Sequence, residues 1–131
     1  MLVYRVAHKS IVDADGINVG PYAFSYDCSK EFQPGDLIDL REMEDDHSND
    51  MNRPVPSNDG IELFTWHHCG FGSLAELKSW FAGWLRVLNR IGFLIFVFEV
   101  DKSDVVEGDS QLAFDIDAAR VVKSFSLLRW S

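Results

Sequence analysis

The chain has no long hydrophobic run and no recognisable leader. Its longest apolar stretch, from Phe93 to Phe98, has six residues, whereas a membrane-spanning helix needs roughly 20. The N-terminal residues 1–6 carry neither the basic region nor the apolar stretch of a secretory signal. The sequence therefore predicts a protein without a membrane span that stays in the cytoplasm.

Cysteines and basic residues are also scarce. The two cysteines, Cys28 and Cys69, are too few for a disulfide scaffold of this size, so we predict two reduced thiols. Twelve Lys and Arg residues face 21 Asp and Glu residues, giving a net charge of −9. This balance argues against direct binding to nucleic acid or to an anionic membrane. It leaves two interpretations open, docking onto a basic protein surface and simple solubility.

Hydrophobic and strand-forming residues are abundant. The chain has 131 residues, of which 47% are hydrophobic and 13% aromatic, enough for one domain with its own core. Residues 2–8 alternate as a strand does, and residues 93–100 form a continuous apolar strand typical of the centre of a sheet. Residues 111–114 and 124–130 predict two further strands.

The strongest helical pattern begins at Ser73. Ser73 and Glu76 form a capping box, and Gly92 is placed to end the helix. Between them an apolar stripe repeats at three- and four-residue spacing: Leu74, Leu77, Phe81, Trp84, Leu85 and Leu88. We therefore predict a single α+β domain over residues 1–131, with a mostly antiparallel sheet packed by one long amphipathic helix at about 73–91.

Most of the excess negative charge lies in residues 36–62. The segment has only two basic residues, Arg41 and Arg53, and its acids are Asp36, Asp39, Glu42, Glu44, Asp45, Asp46, Asp50, Asp59 and Glu62. Pro54, Pro56 and Gly60 predict a loop in its later part. We expect this acidic segment to be exposed.

Three chemical patterns have simpler explanations. Zinc would accept His67, His68 and Cys69 with His47 and Cys28, but neighbouring strand residues point to opposite faces, so we predict no metal site. The same geometry argues against Cys69 as a nucleophile activated by His68. Residues 70–73 could hold an anion on free amides, but the capping box already uses two of them.

The order of several short elements resembles the ADP-ribosyltransferase fold. Arg5 lies on the first strand, Gly20-Pro21-Tyr22-Ala23 follows, and a helix, an apolar strand and the strand around Gln111 complete the order. The resemblance implies that Arg5 contacts the nicotinamide ribose of NAD and that Gly20 and Tyr22, or Tyr26 in place of Tyr22, hold the nicotinamide. NAD would be a substrate, and no cofactor is required.

In that family a late-strand glutamate acts in catalysis, and this position falls on Gln111. Glutamine can bond to a ribose hydroxyl but supplies neither a base nor a negative charge for an oxocarbenium ion. Glu107, Asp109 or Asp115 could substitute for it. The resemblance thus implies NAD or nucleotide binding with enzyme activity left open. The alternative interpretation of Arg5 is a strand residue that pairs with an acid.

A second resemblance concerns residues 53–60 and 71–81, which are similar to small uncharacterised proteins of tailed phages and prophages. It favours an accessory role in infection. The alternative function is therefore a non-enzymatic acidic protein that inhibits a basic host protein of nucleic-acid handling or defence, as an anti-CRISPR-like inhibitor does. The contacting residues would be Asp36, Glu42, Glu44, Asp45, Asp46 and Asp50. The oligomeric state stays open.

Overall fold

A computed structural model describes residues 1–22, 30–48 and 67–129. Its elements in chain order are β1 (Leu2–His8), α1 (Pro34–Ser48), β2 (His67–Gly70), α2 (Leu74–Trp80), α3 (Leu85–Ile91), β3 (Phe93–Glu99), β4 (Val105–Glu107), β5 (Leu112–Asp115) and β6 (Arg120–Ser126). Short 3-10 turns precede β4 and follow β5. The predicted α+β class and the antiparallel pairing of its strands are confirmed, but the described strands form two sheets where the sequence predicted one.

The strands form two antiparallel sheets of three, in the orders β1-β3-β6 and β2-β5-β4. β3 is central in the first sheet, as its continuous apolar run predicts. The sheets meet where β1 passes the end of β2. There the Tyr4 amide donates to the Phe71 carbonyl and the Phe71 amide to the Tyr4 carbonyl, both at 2.8 Å. This sheet junction brings β1 beside β2.

A glycine permits the close approach at the sheet junction. A Cβ atom on Gly70 would lie 2.7 Å from Val3 Cγ1 and 3.1 Å from the Tyr4 carbonyl oxygen. Both distances are too short for a side chain to be accommodated without movement of β1. The absence of a side chain at this position therefore lets the two sheets pack together.

The prediction of one long helix over residues 73–91 is wrong, because the segment forms two seven-residue helices, α2 and α3. The predicted start is confirmed, since the Ser73 hydroxyl accepts from the Glu76 amide at 3.1 Å. Gly83 lies between the helices with φ of +86°, a left-handed conformation that an α-helix does not contain. The apolar stripe continues across the break, so the pattern alone does not reveal it.

The first part of the acidic segment, predicted to be exposed, forms α1, a helix of 15 residues. Leu40, Met43 and His47 are buried on one side of it, at the three- and four-residue spacing of a helix face. The prediction of exposure is therefore incomplete, since this side of α1 contributes to the core. Residues 49–62 of the segment lie outside the described residues.

Two clusters of buried side chains form the core. The larger one packs the three helices against the β1-β3-β6 sheet and includes Val6, Leu40, Leu77 and Phe93. The smaller one combines side chains from both sheets and consists of Val3, Phe98, Val100, Leu112 and Phe114. Among the described residues, no helix is long and apolar enough to cross a membrane.

Candidate functional site at the sheet junction

Arg5 is the first residue of β1 after the Tyr4–Phe71 bridge. Its Nη1 donates to the backbone carbonyl of Cys69 on β2 at 3.0 Å. The side chain therefore connects the two strands just beyond their backbone pairing. This position places a cationic group between the two sheets.

The guanidinium of Arg5 forms no ion pair with an acid in the described part of the chain, although Asp13 lies near enough to affect its pKa. The residue is half-buried, and its Nε is shielded from solvent with no hydrogen-bond partner there. Ion pairs between described residues join Arg90 to Asp39 and Arg120 to Glu99, and none involves Arg5. Burial lowers the pKa of Arg5 to about 10, although the nearby Cys69 and Asp13 oppose the shift. Buried charges in proteins are normally paired, so this one is unusual.

Gly20 lies directly against this guanidinium. A Cβ atom at position 20 would be 3.1 Å from Arg5 Nη2. The structure thus brings together two of the residues that the ADP-ribosyltransferase resemblance selects, Arg5 and Gly20. The chain reaches this position because the Val19 carbonyl accepts from the His8 amide at 2.8 Å, which holds the segment beside the end of β1.

Tyr22 takes part in a different set of contacts. Its ring stacks on Phe81 with the centroids 6.1 Å apart, and its hydroxyl accepts from Trp80 Nε1 at 2.9 Å. The same hydroxyl contacts His47 Nδ1 through a short hydrogen bond. Tyr22 therefore contacts α1 through His47 and α2 through Trp80.

The contact of His47 with Tyr22 was not predicted from the sequence. The signal available for it was the position of His47 four residues after the buried Met43, on the same side of α1. Tyr26 lies outside the described residues.

Gln111 precedes β5 and is buried, with 8% of its surface exposed. Its carbonyl accepts from the Gly108 amide at 2.8 Å. Leu112 pairs with Gly70, so the register continued by one residue sets Gln111 opposite Phe71, which bridges to Tyr4. The backbone of Gln111 thus lies beside the sheet junction, where the structure brings Arg5 and Gly20 into contact.

A protein-family model described as Bacteriophage T4 Y00F protein matches residues 1–128. The chain belongs to this family. The prediction of a small phage protein is therefore confirmed. No curated protein and no solved structure matches the chain. The family description assigns no activity to its members.

The acids that could replace a catalytic glutamate in this Y00F-family chain lie along β4 and β5. Glu107 and Asp109 are exposed. Asp115 is half-buried, and its side chain accepts from the Asp117 amide at 3.1 Å, which caps the 3-10 turn after β5. Asp115 therefore has a structural role.

The described residues do not support two further interpretations, Cys69 as a nucleophile and a metal site formed by His and Cys residues. Burial raises the pKa of the Cys69 thiol, against the opposing effect of the Arg5 charge, so the thiol is protonated at neutral pH. Within the described ranges no three His, Cys, Asp or Glu residues are grouped so that they could hold a metal ion. Cys28 lies outside those ranges.

The acids of α1 project mainly from its outer side. Glu42, Asp45 and Asp46 are exposed, and Asp36 and Glu44 are half-buried. Asp46 accepts from Trp84 Nε1 at 3.2 Å. We call Glu42, Asp45 and Asp46 the acidic face of α1. Asp50, which the sequence places in the same contact set, lies outside the described residues.

Proposed function

We propose that the sheet junction binds the anionic part of NAD or a related nucleotide, as an ADP-ribosyltransferase-like domain does. The observation that supports this proposal most is the half-buried guanidinium of Arg5, whose Nε is shielded from solvent and which forms no ion pair among the described residues. A cation removed from water without a counter-ion destabilises the fold, and an anionic ligand would compensate it.

The surroundings of Arg5 suit a phosphate group. Nη1 is held by the Cys69 carbonyl, which orients the planar guanidinium, and the shielded Nε–H is left without an acceptor. Arginine presents its N–H groups in a planar fork that matches phosphate oxygens. At Gly20 the lack of a side chain leaves the backbone within reach of Nη2. The backbone at Gly20 therefore packs close to the guanidinium, where a side chain would displace it.

We propose that the sheet junction binds the nucleotide but does not catalyse transfer of its ADP-ribosyl group. On the ADP-ribosyltransferase resemblance, Gln111 falls at the position of that family's catalytic glutamate, and its amide can bond to a ribose hydroxyl as donor or acceptor. It brings no negative charge to stabilise an oxocarbenium ion. We therefore expect this protein to hold the nucleotide and to show no ADP-ribosyl transfer.

The test is a calorimetric and thermal-shift titration of the full chain with NAD and with ADP-ribose. Saturable binding is expected for the unmodified protein, with affinity lowered at least tenfold in Arg5→Met. Arg86, an exposed arginine on α3, provides the matched control, and Arg86→Gln should bind as the unmodified protein does. If Arg5→Met does not fold, Gly20→Ala replaces it, because its methyl group would displace Nη2.

Two outcomes would refute the nucleotide proposal. One is the absence of any thermal shift at millimolar NAD and ADP-ribose. The other is unchanged affinity in a folded Arg5→Met protein.

A second candidate function is supported by the acidic face of α1. The buried Leu40 and Met43 fix this helix on the core, so its exposed acids are presented on a rigid surface. We propose that they dock onto a basic host protein, whose nucleic-acid-handling or defence activity is thereby inhibited. Charge attraction of this kind makes association fast and sensitive to salt.

The docking proposal is tested by pulldown from host lysate with a triple variant, Glu42→Gln, Asp45→Asn and Asp46→Asn. Loss of the captured protein is expected. The control triple variant, Asp15→Asn, Asp101→Asn and Glu107→Gln, removes the same charge from other exposed positions and should capture it normally. Equal capture by both variants would exclude the acidic face of α1.

A further inference from the structure

A cleft of about 530 Å³ lies at the other end of β1 from the sheet junction, between the chain after β1 and the start of α1. We call it the β1–α1 cleft. Its volume lies within the range of ligand sites in proteins. It is lined by His8, Ser10, Ile11, Val12, Glu31, Phe32, Gln33, Asp36 and Ile91.

One side of the cleft is aliphatic and open to solvent. Val12 is 45% exposed, and Ile11 is half-buried beside it. The other side carries two carboxylates, Glu31 and Asp36. Neither forms an ion pair within the described residues, unlike Asp39 on the same helix, which pairs with Arg90. The cleft therefore combines an apolar wall with uncompensated negative charge.

His8 forms the floor and does not supply the missing positive charge. Its Nε2 contacts the Ile91 carbonyl at 3.0 Å, and its Nδ1 accepts from the amides of Ser10 at 3.1 Å and Ile11 at 3.0 Å. An Nδ1 that accepts these bonds carries no proton, so the ring is neutral. The carboxylates thus face a neutral floor.

We propose that the β1–α1 cleft receives a lysine or arginine side chain of a basic partner protein. The alkyl part of such a side chain packs on aliphatic surface while its charged end stays near water. Here the stem would lie along Ile11 and Val12 and the cation would meet Glu31 and Asp36. An anionic ligand would be repelled by both carboxylates. This inference rests on the second proposed function, the docking of a basic protein, and adds a specific contact to it.

The inference is tested by NMR titration of the isotope-labelled full chain with a blocked Gly-Gly-Arg-Gly-Gly peptide at low salt. The expected result is saturable shifts of the amides of Ile11, Val12 and Asp36. A peptide with citrulline, the neutral analogue of arginine, should bind about tenfold more weakly, since two exposed ion pairs are lost. The variant Glu31→Gln with Asp36→Asn should weaken the arginine peptide to the same extent.

A matched control variant, Asp101→Asn with Asp117→Asn, removes equal charge from exposed positions outside the cleft and the acidic face of α1, and it should leave the peptide affinity unchanged. Val12→Lys, at an exposed position, places a cation of the chain's own in the cleft and should abolish binding without disturbing the core.

Equal affinity for the citrulline peptide, or shifts confined to the acidic face of α1, would overturn the inference. The second of these outcomes would leave the docking proposal itself intact. Saturation of the cleft by spermidine without any response to the peptide would overturn it as well, because the site would then serve a free polyamine.

Discussion

At the scale of single residues, His8 has a defined protonation state. Its ring lies edge-on to Phe32 and Phe93, with centroids 5.6 and 5.2 Å away. Burial lowers the pKa of His8, the Ile91 carbonyl opposes the shift, and Lys9 lowers it further while Asp36 raises it. Protonation would place a hydrogen on Nδ1, where the amides of Ser10 and Ile11 already donate.

We therefore predict that the protein loses stability as the pH falls below about 6.5, the ordinary value for histidine. The unfolded chain binds a proton there that folded His8 does not, so stability is fully present above this pH and declines towards the lower folded pKa. Urea unfolding between pH 7.5 and pH 5 measures the effect.

His8→Gln is the comparison for the pH effect. Its free energy of unfolding is lower at pH 7.5 but should depend less on pH. Parallel pH profiles for the two proteins would show that His8 is not responsible.

Among the predictions for single residues, the most accurate were those of the secondary-structure element in which a residue lies. Arg5 was predicted on the first strand, and the alternation of β1 places it there. Three other features depend on which segments of the chain become neighbours in space. They are the absence of an ion pair between Arg5 and a described acid, the contact of Arg5 with Gly20, and the contact of His47 with Tyr22. No local pattern contains that information, because it depends on which strands become neighbours.

At the scale of elements, the two incorrect predictions, one helix in place of α2 and α3 and no helix at α1, have different causes. α2 ends at Trp80 and Gly83 follows in a left-handed conformation, but the apolar stripe continues across this break, so periodicity predicted a single element. α1 was missed for the opposite reason, since its apolar positions are few and acids stand between them. Its three buried residues include His47, which a hydropathy pattern counts as polar. Packing on the core, and not amphipathic character, explains this helix.

The sheet junction yields a sharp prediction for Gly70. Gly70→Ala should lower the free energy of unfolding by about 1–3 kcal/mol, because its methyl group would overlap Val3 and the Tyr4 carbonyl. Gly35→Ala, in α1 with open space around the added Cβ, is the control and should be neutral or stabilising by up to about 1 kcal/mol. Chemical denaturation of both variants measures the difference. A Gly70→Ala protein as stable as the unmodified one would mean that the sheets can separate without cost.

At the scale of the whole molecule, β1 and β3 connect the two core clusters. Val3 belongs to the smaller cluster and Val6 to the larger, and β3 contributes Ile95 to the larger and Phe98 to the smaller. Neither cluster can lose its packing without exposing part of a strand that the other needs. The α+β class was predictable from the sequence, whereas the division into two sheets was not, because strand order is set by long-range pairing.

This arrangement predicts cooperative unfolding. Leu77→Ala in the larger cluster and Phe114→Ala in the smaller should each lower the free energy of unfolding by about 2–5 kcal/mol. Both should shift one common transition, seen by tryptophan fluorescence and by circular dichroism. Trp80 and Trp84 pack against the larger cluster, so the fluorescence is measured in a Trp66→Phe, Trp130→Phe background in which these two are the remaining tryptophans. If Phe114→Ala moved the circular dichroism transition and left the fluorescence transition in place, the clusters would be independent.

The pairing of β1 with β3 also has a consequence during protein synthesis. Leu2 pairs with Glu99 and His8 with Phe93, so β1 is completed by a strand that lies much later in the sequence. At translation speeds of about 5–20 residues per second, β1 leaves the ribosome roughly 5–20 s before its partner. The nascent chain therefore carries β1 without its pairing partner until β3 has been made, and the first sheet closes only after that point.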